Sequence, residues 1–268
     1  MILRRVIAHF RKQEWTAIAI DFVIVVLGVF MGIQVANWNE AAKDKRAETA
    51  YLSQLHKDLR LIDVEARAQI EFERFQAGLA IKTFGFIRND QSPDRVRRIN
   101  IGLAQLTMRR TLRIESPTFV DLQNSGKMDV IADDALRAEV VSYFFNMRRM
   151  EAAIDRNNMY FVDAGYLARL MDLGVPTLPW NESLMGMPVF NTGIDNAFTA
   201  EIDVSPLYAA PGVALEAPPD AGVWAEINAQ LSWRAMVAGT NESFAQRMLE
   251  ATAALDAKIA ARLDGRAP

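Results

Sequence analysis

The residue best placed to do chemistry is Asp21. It is the only charge in an otherwise apolar run, TAIAIDFVIVVLGVFMGIQVA, residues 16–36. A carboxylate at a bilayer centre costs roughly 2.5–3.5 kcal/mol on insertion scales, so an intramembrane acid is expected to meet a partner, carry protons or reach the headgroups. Asp21, Val25, Gly28, Gly32 and Val35 step by four, three, four and three, which places them on one helix face. Gly28 and Gly32 form a GxxxG pair, the spacing at which two membrane helices approach closely. The face is therefore a candidate contact site for a second copy or for another membrane protein. A carboxyl that reaches toward the headgroups or pairs with Lys12 is the plainer alternative and stays open.

Little else in the chain could do chemistry. There is no cysteine, and the two histidines, His9 and His56, lie on opposite sides of the apolar run. A histidine-based metal site or a Ser-His-Asp triad in the part after the run would rest on His56 alone, and such sites need several ligands or a positioned base. The adjacent carboxylates Asp133 and Asp134 read as caps stabilised by a helix dipole. No Gly-rich phosphate loop or nucleophile elbow is present. The expectation is a protein without catalytic residues, metal or cofactor, and so not an enzyme.

The elements that position Asp21 follow from length. A helix over the 21 residues of 16–36 spans about 31 Å, which matches a bilayer core. Trp15 and Trp38 bracket it as interfacial anchors. Residues 1–15 form a basic leader in which Arg4, Arg5, Arg11 and Lys12 outnumber Glu14, with Ile2, Leu3, Val6, Ile7 and Phe10 at helical spacing. This reads as an amphipathic helix on an anionic lipid surface. The positive flank predicts a cytoplasmic N-terminus and an extracytoplasmic domain over 37–268. A cleaved signal peptide fits less well, because its apolar region would be about 7–15 residues long and Val35-Ala36-Asn37-Trp38 is a poor cleavage site.

The remaining 26 Lys and Arg stand against 31 Asp and Glu after the span, a mildly acidic balance that gives no support for nucleic-acid binding. With 51% hydrophobic and 24% charged residues, the chain is globular in composition. From Asn37 to about Arg88 there is no proline. Leu52, Leu55, Leu59 and Ile62 repeat at coiled-coil spacing, and Ala66, Ile70, Phe72, Phe75, Leu79 and Phe86 extend the stripe. This predicts a long helix rising from the membrane, which packs into a bundle and continues the span. Ser92-Pro93 and Ser116-Pro117 are start signals for two further helices, to about Met108 and to Gly126. Thr111–Ile114 is an extended link between them. Asp133 or Asp134 opens a long helix to about Leu173, with Ile154, Phe161 and Leu167 among its apolar positions. Residues 175–222 hold seven of the ten prolines, together with Trp180, Phe190, Phe198 and Tyr208. A connection of this length is expected to be a contact surface or a cover for the bundle. A helical pattern returns from Ala221 to about Asp264, and Gly239 leaves open whether it is one helix or two. The fold expected is all-α: an N-terminal transmembrane helix that continues into an antiparallel bundle, with a proline-rich irregular insertion.

The span and its exit, AIAIDFVIVVLGVFMGIQVANWNE, resemble the signature of an uncharacterised bacterial family of single-span inner-membrane proteins, carried here by Asp21, Gly28, Gln34, Asn37, Trp38, Asn39 and Glu40. Residues 116–144, with their Leu-x-x-Ser-Gly turn, and the terminal helix over 225–264 extend that likeness. It implies a topology and no activity. The start of the span is also similar to stator subunits of the ExbD/TolR type, in which a near-cytoplasmic Asp carries protons; the present chain lacks their polar arm and their small α/β domain.

Three roles follow as expectations. The first is an interaction or accessory subunit of a membrane complex, held in the lipid bilayer and self-associated or partnered through the span. The second is a periplasmic small-ligand sensor that signals through a partner. The third is a proton-coupled subunit that uses Asp21.

Overall fold

The computed structural model describes residues 15–93, 95–175, 213–218 and 220–265, with the backbone alone at 15–19, 21, 213 and 214. The expected amphipathic leader with Arg4, Arg5, Arg11 and Lys12, and most of the proline-rich insertion, lie outside the described residues. The fold is all-α. The first helix, α1 (Trp15–Asn89), is a single element of 75 residues, so the span and the bundle's first helix are continuous. No proline interrupts it, which removes the commonest cause of a break.

After α1 come α2 (Arg95–Gln105), α3 (Pro117–Asn124), a 3-10 turn at Met128–Val130 and α4 (Asp134–Asn157). A π-helical segment (Asn158–Leu167) and a short α5 (Ala168–Asp172) extend α4 without a gap. A second 3-10 turn (Val213–Glu216) precedes α6 (Gly222–Leu263), which runs unbroken through Gly239. The local signals work largely as read. Ser116 caps α3 by accepting from the Phe119 amide at 3.1 Å, with Pro117 in the first turn. Asp133 caps α4 through the amides of Ala135 and Leu136. The helix expected from Ser92-Pro93 starts later, at Arg95, and ends at Gln105 instead of Met108.

The bundle is organised by two antiparallel seams. On α1 the seam positions are Leu52, Leu55, Leu59, Ile62, Ala66, Gln69, Glu73, Gln76, Ala80, Thr83 and Ile87, with Glu48 before them and Asp58, Ile70 and Phe72 buried beside the seam. On α6 they are Trp224, Ile227, Leu231, Arg234, Ala238, Asn241, Ala245, Met248, Thr252, Leu255 and Ile259. Both sets alternate steps of three and four throughout, which keeps one face of each helix on the other. The apolar residues fall into two separate cores. The core nearer the span gathers Leu52–Ala66 with Val140, Phe144, Met147, Met248 and Leu255. The farther core gathers Ala80 and Ile87 with Ile99, Leu103, Tyr166, Leu170, Trp224 and Leu231.

The long α4 extension departs from the expected pattern. Its buried residues Ile154, Asn158, Val162, Tyr166 and Leu170 recur every four residues. On a regular α-helix four such steps would carry the stripe about 160° round the axis. The wider π turn keeps the stripe facing the bundle. Phe161, expected in the core, is consequently 45% exposed and stacks on Trp233, with ring centroids 6.0 Å apart.

Candidate functional site: the uncovered span and the buried polar layer

The candidate site residues on the span share one uninterrupted helix. Asp21 lies within α1. Val25 and Val35 are 63% and 57% exposed, and a methyl group added at Gly28 or at Gly32 would meet nothing within 4 Å. From Phe22 to Arg46 every described side chain is exposed except the intermediate Gln34, and Trp38 projects freely. The first residue of α1 to be buried is Glu48. Its carboxylate accepts the Ala132 amide at 3.1 Å and faces Arg262 at 3.4 Å, which closes the bundle's base. From Ala36 to Glu48 is twelve residue steps, about 18 Å of unsupported helix. No other described helix reaches the span.

The second concentration of polar groups is one the residue pattern did not announce. Between the two cores, three consecutive seam positions of α1 are Gln69, Glu73 and Gln76, each fully buried. Opposite them stand Arg234 and Asn241 of α6. Gln69 Nε2 donates to Glu73 Oε1 at 2.7 Å, and Asn241 Nδ2 donates to the same oxygen at 3.1 Å. Asn241 also joins Asn158 and Asn157 at 3.2 and 2.9 Å. Arg234 donates through Nε to the Leu106 carbonyl at 2.9 Å and through Nη2 to the Met108 carbonyl at 3.0 Å. Its Nη1 lies 3.8 Å from Glu73 Oε2. These two atoms and both amide atoms of Gln76 have no hydrogen-bond partner among the described residues.

Desolvation dominates the electrostatics here. Burial pushes the Glu73 carboxyl up to about 7, against the opposing pull of Arg234 and of the hydrogen bonds from Asn241 and Gln69. Burial likewise lowers Arg234, with Glu73 acting in the other direction. A carboxyl and a guanidinium held this way resemble the buried polar positions that fix the alignment of packed helices more than they resemble a stabilising ion pair. The missed signal was legible in principle: the three-four repeat of apolar residues over 52–66 continues in register through Gln69, Glu73 and Gln76. Among the described residues no three His, Asp or Glu gather as they would around a metal ion.

One helix near the N-terminus is long and apolar enough to cross a membrane, and it continues into an all-helical bundle. Residues 21–82 match a family described as Family of unknown function (DUF6090). That stretch is about a quarter of the chain; it begins at Asp21, passes the NWNE exit and contains Gln69, Glu73 and Gln76. No curated protein and no solved structure matches the chain.

Proposed function

We propose that this chain is a membrane-anchored, non-enzymatic subunit that assembles with a second copy or with a membrane-protein partner through the face Asp21, Val25, Gly28, Gly32 and Val35. The observation that supports this reading is the absence of any intramolecular partner for Val25, Gly28, Gly32 and Val35 among the described residues: the bundle closes at Glu48, and both glycines stand open. In a bilayer, apolar exposure alone drives no association, because lipid is as apolar as the helix. A stripe that combines two small residues with a carboxyl is different, since it offers close packing and a group that gains from a partner. On this reading the leader is cytoplasmic and the bundle is held on the other side of the membrane, which is the periplasm if the membrane is a bacterial inner membrane.

The test is association of the full chain in a mild detergent or in a membrane two-hybrid assay, with Gly28→Ile and Gly32→Ile combined. The variant is expected to lose association while retaining membrane insertion, because isoleucine is favourable in a span. Association at the wild-type level would overturn the proposal.

A further inference from the structure

The partly buried Phe75, Leu79 and Phe86 on α1 lie beside the seam positions Gln76, Ala80 and Ile87. With Ile101 of α2 they floor a groove of about 620 Å³ between α1 and α2. That volume lies within the range of about 300–1,000 Å³ usual for small-molecule sites. The groove's position is fixed by a close helix approach: a methyl added at Gly102 would fall 2.1 Å from Thr83 Oγ1. Gly78 lines it without a side chain, and a methyl there would meet nothing within 4 Å.

All the charge lining the groove is positive: Arg74, Lys82 and Arg98, with no Asp or Glu. Arg74 is held by Glu242 at 2.7 Å and Arg98 by Asp90 at 3.3 Å. Lys82 has no carboxylate partner among the described residues. Its ammonium lies 6.0 Å from the Phe86 ring centre, and the Arg98 guanidinium lies 5.7 Å from the same ring. One end of the groove thus presents two cations about a single aromatic ring, and the rest is an apolar floor of Phe75, Leu79 and Ile101 with Arg74 and Gln105 at its edges.

We propose that this groove binds a single-chain anionic amphiphile, an acyl chain that ends in a carboxylate. The head meets Lys82 and Arg98, and the tail lies along Leu79, Phe75 and Ile101. Charge and floor decide the occupant: Lys82 and Arg98 beside one ring favour an anionic head, and Leu79, Phe75 and Ile101 offer apolar surface to a single tail. The inference does not depend on the span's role, since groove and span lie at opposite ends of α1.

The experiment is calorimetric titration of the full chain in lipid nanodiscs with dodecanoate, with empty nanodiscs as the blank. Dodecyltrimethylammonium supplies the same tail with the opposite charge, and butyrate the same head without the tail. Saturable binding of dodecanoate alone is expected. Lys82→Glu should weaken it at least tenfold. Gly78→Phe should abolish it while leaving the melting temperature unchanged or higher, because an aromatic side chain replaces a helical glycine in open space. Equal binding of the cationic amphiphile, or dodecanoate binding that survives Gly78→Phe, overturns the proposal. So does a Gly78→Phe chain with a lower melting temperature or an altered oligomeric mass, which would mean that the groove is filled by the chain itself or by a second copy.

Discussion

Replacement of Glu73 by glutamine separates the charge of the polar layer from its shape. Glu73 Oε1 accepts from Gln69 and Asn241, and Oε2 faces Arg234 Nη1 at 3.8 Å without a hydrogen bond. Glutamine keeps the accepting oxygen and resembles the protonated acid. The carboxyl's folded value of about 7 stands above the ordinary 4.5. Between those two pH values the folded chain holds a proton that the unfolded chain has released. The stabilisation from that proton is complete below about pH 4.5 and is lost as pH rises through about 7. At 1.36 kcal/mol per pH unit, the rise from 4.5 to about 7 corresponds to about 3 kcal/mol. Urea unfolding of the full chain in detergent, followed by circular dichroism from pH 4.5 to 8, measures it. The other titrating groups are common to both proteins, so the difference between them isolates Glu73. Glu73→Gln is expected to gain about 3 kcal/mol on the wild type between pH 4.5 and 8. A difference that stays constant within about 1 kcal/mol, or one that moves the other way, would refute the desolvation argument.

Other substitutions test the remaining packing claims. Arg234→Met leaves the carbonyls of Leu106 and Met108 unpaired and Glu73 without its cation, and is expected to cost about 3–5 kcal/mol in the same unfolding assay. Adding Glu73→Leu to it should recover part of that loss, since the uncompensated carboxyl is then gone. Gly102→Ala drives a methyl group into Thr83 and should cost about 1–3 kcal/mol by thermal melting; the pair Gly102→Ala with Thr83→Ala should recover most of it. Ser116→Ala removes both the cap of α3 and the hydrogen bond to Asp58 at 2.7 Å, with an expected loss of about 2 kcal/mol.

The fold was legible where one local rule acted alone. The absence of proline over 37–88 and the three-four repeat from Leu52 gave the long first helix, and Ser116-Pro117 and Asp133 marked helix starts at the right residues. Misreadings arose where the buried face was not apolar or not α-helical in period. Arg234 and Asn241 are buried on α6 while Met236 is 44% exposed, because the seam's register, and not hydrophobicity, decides which residues face α1. Phe161 was assigned to the core by an α-helical count, but the π segment turns Val162 and Tyr166 inward instead. The candidate face on the span was legible because glycine spacing and a lone carboxyl are written in the residues themselves. For the polar layer, the burial of Gln69, Glu73 and Gln76 was legible from the continuing three-four register, but their partners Arg234, Asn241 and Asn158 were not, since these come together only once three elements meet. The groove's floor was visible as an apolar stripe, but its cations come from residues up to 24 positions apart in sequence.

The unbroken first helix has a mechanical consequence. Its 75 residues make a shaft about 112 Å long, with the exposed apolar stretch at one end and the seam at the other. A hinged connection would let the span spin in the bilayer while the bundle stayed still. Here no hinge interrupts the shaft, and Gln69, Glu73 and Gln76 key it to Arg234 and Asn241, so that a twist applied at Asp21 cannot slip at the seam without stranding a buried charge. On the proposal that the span crosses a membrane, rotation of the span and rotation of the bundle are linked through one continuous helix.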